Sequence, residues 1–323
     1  MLPSTNYQSP LQQLPMTTMT LRKTLNIVTL IVGAIAISGL SYWIGKQAYS
    51  WLPPQAAAES QLIDDLISFL VTLGAFIFLG VTSTLAYSII FHRAAKNDLS
   101  DGPPIEGNIT LEVVWTGIPI LLVLWIAGYS YQVYEQMGIQ GPGEHVHLHN
   151  PIAVETAYAA PKAAPAAEPI EKIDVLAKQW AWVFHYPKNN VTSTELHLPS
   201  DRRVRLALQS ADVLHGFYIP AFRLKQDIVP NQTIDFEFTP IRPGEYHLTD
   251  SQYSGTYFAT MQANVVVQSA DEYYQWLSQA ATKEPTPANN QAAAEYAQAA
   301  SQKVKTGWAT VVPAAPPLVN SPG

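Results

Sequence analysis

Residues 212–230 read DVLHGFYIPAFRLKQDIVP, and residues 242–267 read RPGEYHLTDSQYSGTYFATMQANVVV. Proline and glycine separate short apolar and aromatic segments in both runs, which is typical of short strands in a β-domain. His215 supplies an imidazole and Met261 a thioether, but the chain has no cysteine. A metal centre that depends on thiolate sulfur therefore cannot form anywhere in this protein.

Further strand signals extend the pattern over a region from about residue 170 to residue 267. The signals lie at 173–183, 195–198, 204–208, 233–238, 246–248 and 262–267. Turn residues separate them, notably at 187–190 and 242–244, and this spacing predicts a small antiparallel β-sandwich. Apolar spacing predicts a short helix at 271–281, and the Ala/Gln/Pro-rich remainder is predicted to be disordered.

Upstream of the β-domain, three long stretches are free of charged side chains. They lie between Lys23 and Lys46, between Asp65 and His92, and between Glu112 and Glu135. A membrane-spanning helix needs about 20 apolar residues, and each stretch reaches that length. The chain is 48% hydrophobic and only 13% charged, which agrees with a membrane α region followed by an all-β domain.

The first stretch, residues 24–45, has two interpretations. Arg22 and Lys23 provide the positive start of a signal sequence, and Ala56-Ala57-Ala58 provides small residues for its cleavage. Because these alanines lie well beyond the apolar run, after Pro53-Pro54, a retained helix is favoured. Cleavage and retention both stay open.

Loop charges predict the orientation of the membrane segments. Arg22 and Lys23 precede the first stretch, and Arg93 and Lys96 follow the second. The positive-inside rule places both groups in the cytoplasm. The part of the chain after residue 134 is therefore expected on the outer side of the membrane.

These boundaries predict five regions. They are an N-terminal tail with the first hydrophobic segment (1–61), a two-helix transmembrane hairpin (62–137), a Gly/Ala/Pro-rich linker (138–169), the β-domain with its short helix (170–281) and a disordered tail (282–323). The net charge of −7 argues against a nucleic-acid partner. No catalytic triad, phosphate loop or carboxylate pair stands out, so the chemistry is expected to lie largely in a partner.

The two quoted runs resemble the C-terminal, cupredoxin-like domain of subunit II of the haem-copper terminal oxidases. In cytochrome c oxidases this loop has the pattern Cys-x-Glu-x-Cys-x-x-x-His-x-x-Met, which holds the dinuclear copper-A centre. With His215 as the upstream histidine, the pattern falls here on Asp250, Gln252, Ser254, Phe258 and Met261. Only His215 and Met261 match, so the resemblance implies a subunit II that lacks copper-A.

Two shorter stretches refine this resemblance. Tyr253-Ser254-Gly255 followed by Phe258 is similar to the copper-free bo-type quinol oxidases, whereas 215–220 with Lys225-Gln-Asp227 is similar to cyanobacterial cytochrome c oxidase. The mixture resembles the alternate respiratory terminal oxidase of cyanobacteria. The resemblance implies quinol oxidation, reduction of O2 to water and proton translocation in a plasma or thylakoid membrane, with the β-domain on the periplasmic or lumenal side.

The resemblance also implies how the work is divided. Subunit I is expected to hold the haems and copper-B and to receive electrons from membrane quinol, with no cofactor in this chain. Subunit I, subunit III and the lipid bilayer are the expected partners. Two alternatives stay open: a soluble donor, cytochrome c, whose electrons bypass copper-A, or a non-redox, membrane-anchored β-sandwich that acts in binding or assembly.

The third hydrophobic stretch opens with Leu111-Glu112-Val-Val-Trp115-Thr116-Gly-Ile-Pro119, which resembles the family signature Glu-x-x-Trp-Thr-x-x-Pro. The resemblance places Glu112 near the mouth of the K proton pathway of subunit I, where a carboxylate can collect and pass protons. An acid that complements the helix dipole is the other interpretation. Trp115 is interpreted as an aromatic of the membrane interface in preference to a wall of the proton site.

Aromatic residues alternate in Lys178-Gln-Trp180-Ala-Trp182-Val-Phe184, so Trp180 and Trp182 are expected on one face of a strand. The resemblance places Trp180 at the tryptophan that receives electrons from cytochrome c. Without copper-A beside it, core packing is the preferred interpretation of Trp180. His215 is likewise expected to be a core histidine paired with a backbone group.

A second metal-like pattern is Glu144-His145-Val-His147-Leu-His149. In an extended segment its three imidazoles would point to one side, and three imidazoles suit zinc or copper. Because the run lies in the predicted linker, adventitious metal binding is favoured over a dedicated site.

Overall fold

The computed structural model describes residues 16–93, 107–137, 139–142, 171–301 and 310–322. The chain divides into two compact units, Met1–Tyr49 with Ile67–Ile105, and Ser50–Leu66 with Glu106–Gly323. The first unit is helical. The second contains the β-domain.

Three long helices confirm the predicted hydrophobic segments. They are α1 (Met16–Trp51), α2 (Ala58–Phe91) and α3 (Ile109–Gln136). Each is long and apolar enough to span a membrane. Within the first unit, α1 contacts α2 at Gly45, whose carbonyl accepts from the Ser68 hydroxyl at 3.0 Å. A side chain at Gly45 would collide with Thr72, so the small residue allows the two helices to approach closely.

Eleven strands among the described residues form two sheets that share one hydrophobic core. The strands are β1 (Ile139–Pro142), β2 (Glu171–Lys178), β3 (Ala181–Tyr186), β4 (Val191–Ser193), β5 (Leu196–Pro199), β6 (Val204–Ser210), β7 (His215–Ile219), β8 (Leu224–Ile228), β9 (Ile234–Phe238), β10 (Gly244–Asp250) and β11 (Gln262–Gln268). One sheet has the order β1-β9-β6-β2-β3-β4 and the other β5-β11-β10-β7-β8. Most pairs are antiparallel, but β2–β6 and β5–β11 are parallel. The result is the expected cupredoxin-like sandwich.

The single strand predicted over 173–183 is two strands in the structure. β2 and β3 form an antiparallel pair, and Gln179 and Trp180 lie in the turn between them. The Gln179 N–H donates to the Asp212 carboxylate at 2.7 Å, so a distant acidic side chain satisfies the turn. Trp180 and Trp182 therefore do not share the face of one strand.

The region predicted as a linker, 138–169, begins with a strand. β1 pairs with β9 through Ile139 and Phe236, so the first residues of that region belong to the sheet. Residues 143–170 lie outside the described residues, and the pattern at His145, His147 and His149 lies there as well.

The tail predicted to be disordered from residue 282 is ordered where the structure describes it. After α4 (Ala270–Ala281) come β12 (Thr286–Pro287), α5 (Gln291–Ser301) and β13 (Leu318–Val319). Alanine favours helix, and the Asn290 side chain caps α5 by accepting from the Ala293 N–H at 3.0 Å. Val319 is fully buried. Burial of the tail depends on distant residues, which its composition does not reveal.

The start of α2 is built into the β-domain within the second unit. The Ala56 N–H donates to the Ala221 carbonyl at 3.1 Å, and the Ala56 carbonyl accepts from the Ile241 N–H at 2.9 Å. Asp64, on the second turn of α2, pairs with Arg223 at 2.7 Å, and both side chains are almost fully buried. The alanines considered for signal cleavage, Ala56 and Ala57, are thus part of the domain core.

Candidate functional site

The candidate site lies where β7 begins and β10 ends. These strands are antiparallel neighbours, and Asp250 pairs with Phe217. His215 is the first residue of β7 and Asp250 the last of β10, so this register brings their side chains together at one end of the sheet. His215 is 0% exposed.

Both ring nitrogens of His215 face carboxylates. Nδ1 lies 2.8 Å from Asp250 Oδ2, and Nε2 lies 2.9 Å from Asp212 Oδ1. The prediction of a backbone partner for His215 is therefore wrong, because an acidic side chain from the neighbouring strand and one from three residues earlier occupy both nitrogens. Asp212 was missed as a member of this cluster. The Asp-x-x-His spacing was the signal that could have revealed it.

Asp250 is the centre of the hydrogen-bond network. Its Oδ1 accepts from the N–H groups of Gly216 at 2.7 Å and Gln252 at 3.1 Å. Its Oδ2 accepts from the Ser254 hydroxyl at 2.7 Å as well as facing His215. A buried carboxylate with this many donors is stabilised as an anion.

The pKa shifts of this pair follow from burial opposed by hydrogen bonding. Burial alone would raise the pKa of Asp250, but the bonds from His215, Gly216, Ser254 and Gln252 outweigh it and lower that pKa. Burial would lower the pKa of His215, but the hydrogen bonds to Asp250 and then Asp212 outweigh it and raise that pKa. Both shifts favour the charged forms of this pair, an imidazolium beside a carboxylate.

The other positions of the family pattern point elsewhere. The Gln252 side chain donates to Asp227 at 2.9 Å. Phe258 packs edge-on against Tyr253, with 5.2 Å between ring centroids. Met261 is buried, and its carbonyl accepts from the Trp182 indole N–H at 3.2 Å. Four of the six positions belong to one polar network. Asp250 lies at its centre and contacts His215, Gln252 and Ser254.

These residues do not fit a dinuclear copper centre. The pattern that holds copper-A supplies two thiolates, and here a carboxylate and a hydroxyl stand in those positions. Both nitrogens of His215 are already engaged by carboxylates. Among the described residues, no three or more His, Cys, Asp or Glu side chains are grouped so that they could hold a metal ion. The arrangement acts as a structural ion cluster.

Trp180 packs inside the domain next to this cluster. Its indole N–H donates to the Ser254 carbonyl at 3.2 Å, and its ring contacts Tyr257 edge-on at 5.1 Å. Gly255 has a φ of 117°, and a Cβ there would lie 2.8 Å from the Trp180 ring. Glycine is thus needed for both the backbone and the close approach. Trp180 is 2% exposed.

Glu112 lies in the first turn of α3, where Asn108 caps the helix by accepting from the Leu111 N–H at 3.1 Å. The Glu112 side chain is exposed and borders an open groove on the helix with Val113 and Thr116. Trp115 is 59% exposed. The helix thus presents the carboxylate and the indole on its outer surface, where a membrane or another subunit can reach them.

Comparisons with known proteins agree with this architecture. The sequence matches two family profiles, described as cytochrome c oxidase subunit II, transmembrane domain, over residues 43–133, and periplasmic domain, over residues 189–270. Cytochrome c oxidase subunit 2 of Synechocystis sp. is 32% identical over 83% of this chain and 85% of its own length. The protein of the same description from Thermostichus vulcanus is 32% identical, over 79% and 85%. Quinol oxidase subunit 2 of Bacillus subtilis is 27% identical, over 72% and 66%.

Proposed function

The chain belongs to the cytochrome c oxidase subunit II family, and from that premise we propose that its oxidase draws electrons from membrane quinol without a copper-A centre. The chain is a membrane-anchored subunit of a haem-copper terminal oxidase. The identity of the electron donor is the part that we propose.

The donor set at the degenerate copper loop carries this proposal. Asp250 and Ser254 supply oxygen where a copper relay needs thiolate sulfur, and Phe258 supplies no ligand atom. The His215 imidazole is held by Asp212 and Asp250. With no relay on the outer surface, a donor that reaches subunit I from within the membrane needs no contribution from this domain.

The proposal assigns the remaining chemistry to partners. Subunit I holds the haems and copper-B, oxidises quinol and reduces O2 to water with proton translocation. This chain packs its membrane helices against subunit I and covers the outer face with the β-domain. Subunit III completes the complex. The Bacillus subtilis relative is described as quinol oxidase subunit 2, which is consistent with this assignment.

A soluble donor is the second candidate, and the relatives' descriptions favour it. The two relatives at 32% identity are described as cytochrome c oxidase subunits, whereas the quinol oxidase relative is 27% identical. In this case electrons would enter through the β-domain near Trp180 and bypass copper-A. Burial of Trp180 and the lack of thiolate ligands for a copper relay beside it weigh against this route.

Oxygen consumption by the purified complex separates the two candidates. We expect rapid turnover with a reduced soluble quinol analogue and only background turnover with a reduced c-type cytochrome. Trp180→Phe provides the matched variant, because it should leave quinol turnover unchanged but slow any turnover that passes through this indole. Rapid oxidation of the cytochrome by the wild-type complex would contradict the proposal.

We also propose that Glu112 delivers protons to subunit I. Its exposed position in the first turn of α3, beside an open groove, supports a carboxylate that exchanges protons with water and with a neighbouring subunit. A helix-end acid that complements the dipole needs the same position, so the two roles are distinguished only by turnover.

A further inference from the structure

The described tail crosses both loops that surround the candidate site. The Ala314 N–H donates to the Gln179 carbonyl at 2.6 Å, and the Asn290 side chain donates to the Trp180 carbonyl at 3.4 Å. The Thr310 hydroxyl donates to that of Thr256 at 2.7 Å. The tail therefore contacts the β2–β3 turn and the loop between β10 and β11 at the same end of the domain.

The end of the tail is fixed along β4, the edge strand of the six-stranded sheet. The Thr192 N–H donates to Asn320 Oδ1 at 2.9 Å, and the Thr192 carbonyl accepts from the Asn320 N–H at 2.9 Å. Asn320 Nδ2 also donates to the Lys283 carbonyl at 2.7 Å. An uncovered edge strand offers its backbone to other chains, and here the chain's own C-terminal segment satisfies it.

We propose that residues 310–322 form a strap that closes this edge of the β-domain to soluble redox proteins. A protein donor that reached Trp180 would have to approach the β2–β3 turn, where Ala314 of the strap bonds to the Gln179 carbonyl and Asn290, upstream of the strap, bonds to the Trp180 carbonyl. The Trp180 ring itself is 2% exposed. The chain carries a net charge of −7, which attracts basic donor proteins. Charge therefore does not keep such donors away, whereas a steric barrier does.

The strap deepens the proposed function and rests on it, because a quinol-fed oxidase has no need of a donor on this face. The existence of the strap is nevertheless a separate question. The strap covers the β4 edge, and its removal is expected to open that edge to a protein partner.

The test compares three variants of the full-length chain in its complex. Asn320→Ala removes two side-chain hydrogen bonds that fix the strap. Val312→Ser is the matched control, because Val312 lies in the strap but is 65% exposed. A chain that ends at residue 309 removes the strap altogether. Hydrogen exchange is measured at the N–H groups of Thr192 and Thr194, which donate to Asn320 and Ser321 of the strap, and binding of a small basic c-type cytochrome is measured at low salt.

We expect both N–H groups to exchange severalfold faster in Asn320→Ala and in the shortened chain, and at the wild-type rate in Val312→Ser. Cytochrome binding should appear only in the two variants that release the strap. Equal exchange in all variants overturns the strap, and faster exchange without cytochrome binding overturns its role as a barrier. Rapid cytochrome oxidation by the wild type would instead refute the proposed function, with the exchange rates still deciding whether the strap exists.

Discussion

Asp250 and His215 show how a metal-type loop can be held together without a metal. In this arrangement carboxylates face both ring nitrogens of the imidazole and favour its protonated form. Breaking one partner of such a buried network leaves the other uncompensated. The residues at this site are therefore expected to govern folding and not electron transfer.

The unfolding free energy should depend on pH through this pair. The folded pKa of His215 is raised from its ordinary value of 6.5, so its contribution is complete below that value and is lost as pH rises through the raised pKa. The folded pKa of Asp250 is lowered from 3.8, so its contribution is complete above that value and is lost as pH falls through the lowered pKa. We expect maximal stability between these ordinary values.

Denaturant unfolding of the full chain in detergent, followed by tryptophan fluorescence across pH, checks this expectation. Asp250→Asn should lower stability and flatten the alkaline decline, because the imidazolium loses its principal partner. His185→Gln is the matched control, since His185 pairs with Asp174 at an exposed position, where such pairs contribute little. An alkaline decline that is unchanged in Asp250→Asn would exclude His215 as its origin.

Glu112 is the other residue whose role can be decided singly. Glu112→Gln keeps the shape of the side chain but cannot ionise, so we expect normal assembly and oxygen reduction slowed severalfold, with Glu112→Asp retaining more activity. Glu135→Gln, which removes a carboxylate near the other end of α3, is the control and should turn over normally. A capping role predicts instead a stability loss of about 0.3–1 kcal/mol with turnover intact.

Sequence patterns identified the site positions but not how they are joined. The family pattern brought His215, Asp250 and Ser254 into one loop system, and the structure places them in contact. Asp212 is not part of the family pattern, so only its Asp-x-x-His spacing could have indicated the contact with His215. A hydrogen bond between residues 35 positions apart is decided by strand pairing.

Elements show the same limit on a larger scale. Periodicity predicted the membrane helices and most strands because each pattern is local. It missed the turn at Gln179 and Trp180, since the Asp212 carboxylate that supports this turn lies 33 residues away. It also missed the order in the tail, where Asn290 is fixed by the β2–β3 turn and Asn320 by β4.

The first turns of α2 and the β-domain form one structural element through Asp64 and Arg223. Breaking a buried ion pair leaves an unpaired charge and costs about 3–5 kcal/mol, so we expect Asp64→Asn to destabilise the domain by that amount. Asp235→Asn, which breaks the more exposed pair with Arg205, is the control and should cost about 0–1 kcal/mol. Denaturant unfolding measures both losses. Similar values would show that the Asp64–Arg223 pair contributes no more to stability than the more exposed pair.

At the scale of the whole molecule, three spans and a soluble domain define a membrane-anchored subunit. Composition was sufficient to predict this division. The chain is 48% hydrophobic, and its long uncharged hydrophobic stretches all lie in the N-terminal part. The side of the membrane on which the domain lies depends on loop charges, and Lys96 is outside the described residues. Orientation therefore stays a prediction.

Protease treatment of intact spheroplasts tests the orientation. We expect added protease to remove the C-terminal domain from spheroplasts, because the positive charges at Arg22, Lys23 and Arg93 favour the cytoplasmic side. Inverted vesicles are the control and should protect the domain. Protection in spheroplasts combined with digestion in inverted vesicles would reverse the assigned topology.

The ion cluster at His215 also affects how the domain matures. A thiolate centre has to be filled with copper, and its cysteines have to be kept reduced in a compartment where thiols tend to form disulfides. Here the cluster is complete as soon as the strands pair, with atoms that the chain itself provides. Folding of this domain is therefore independent of copper supply and of the redox poise of its compartment.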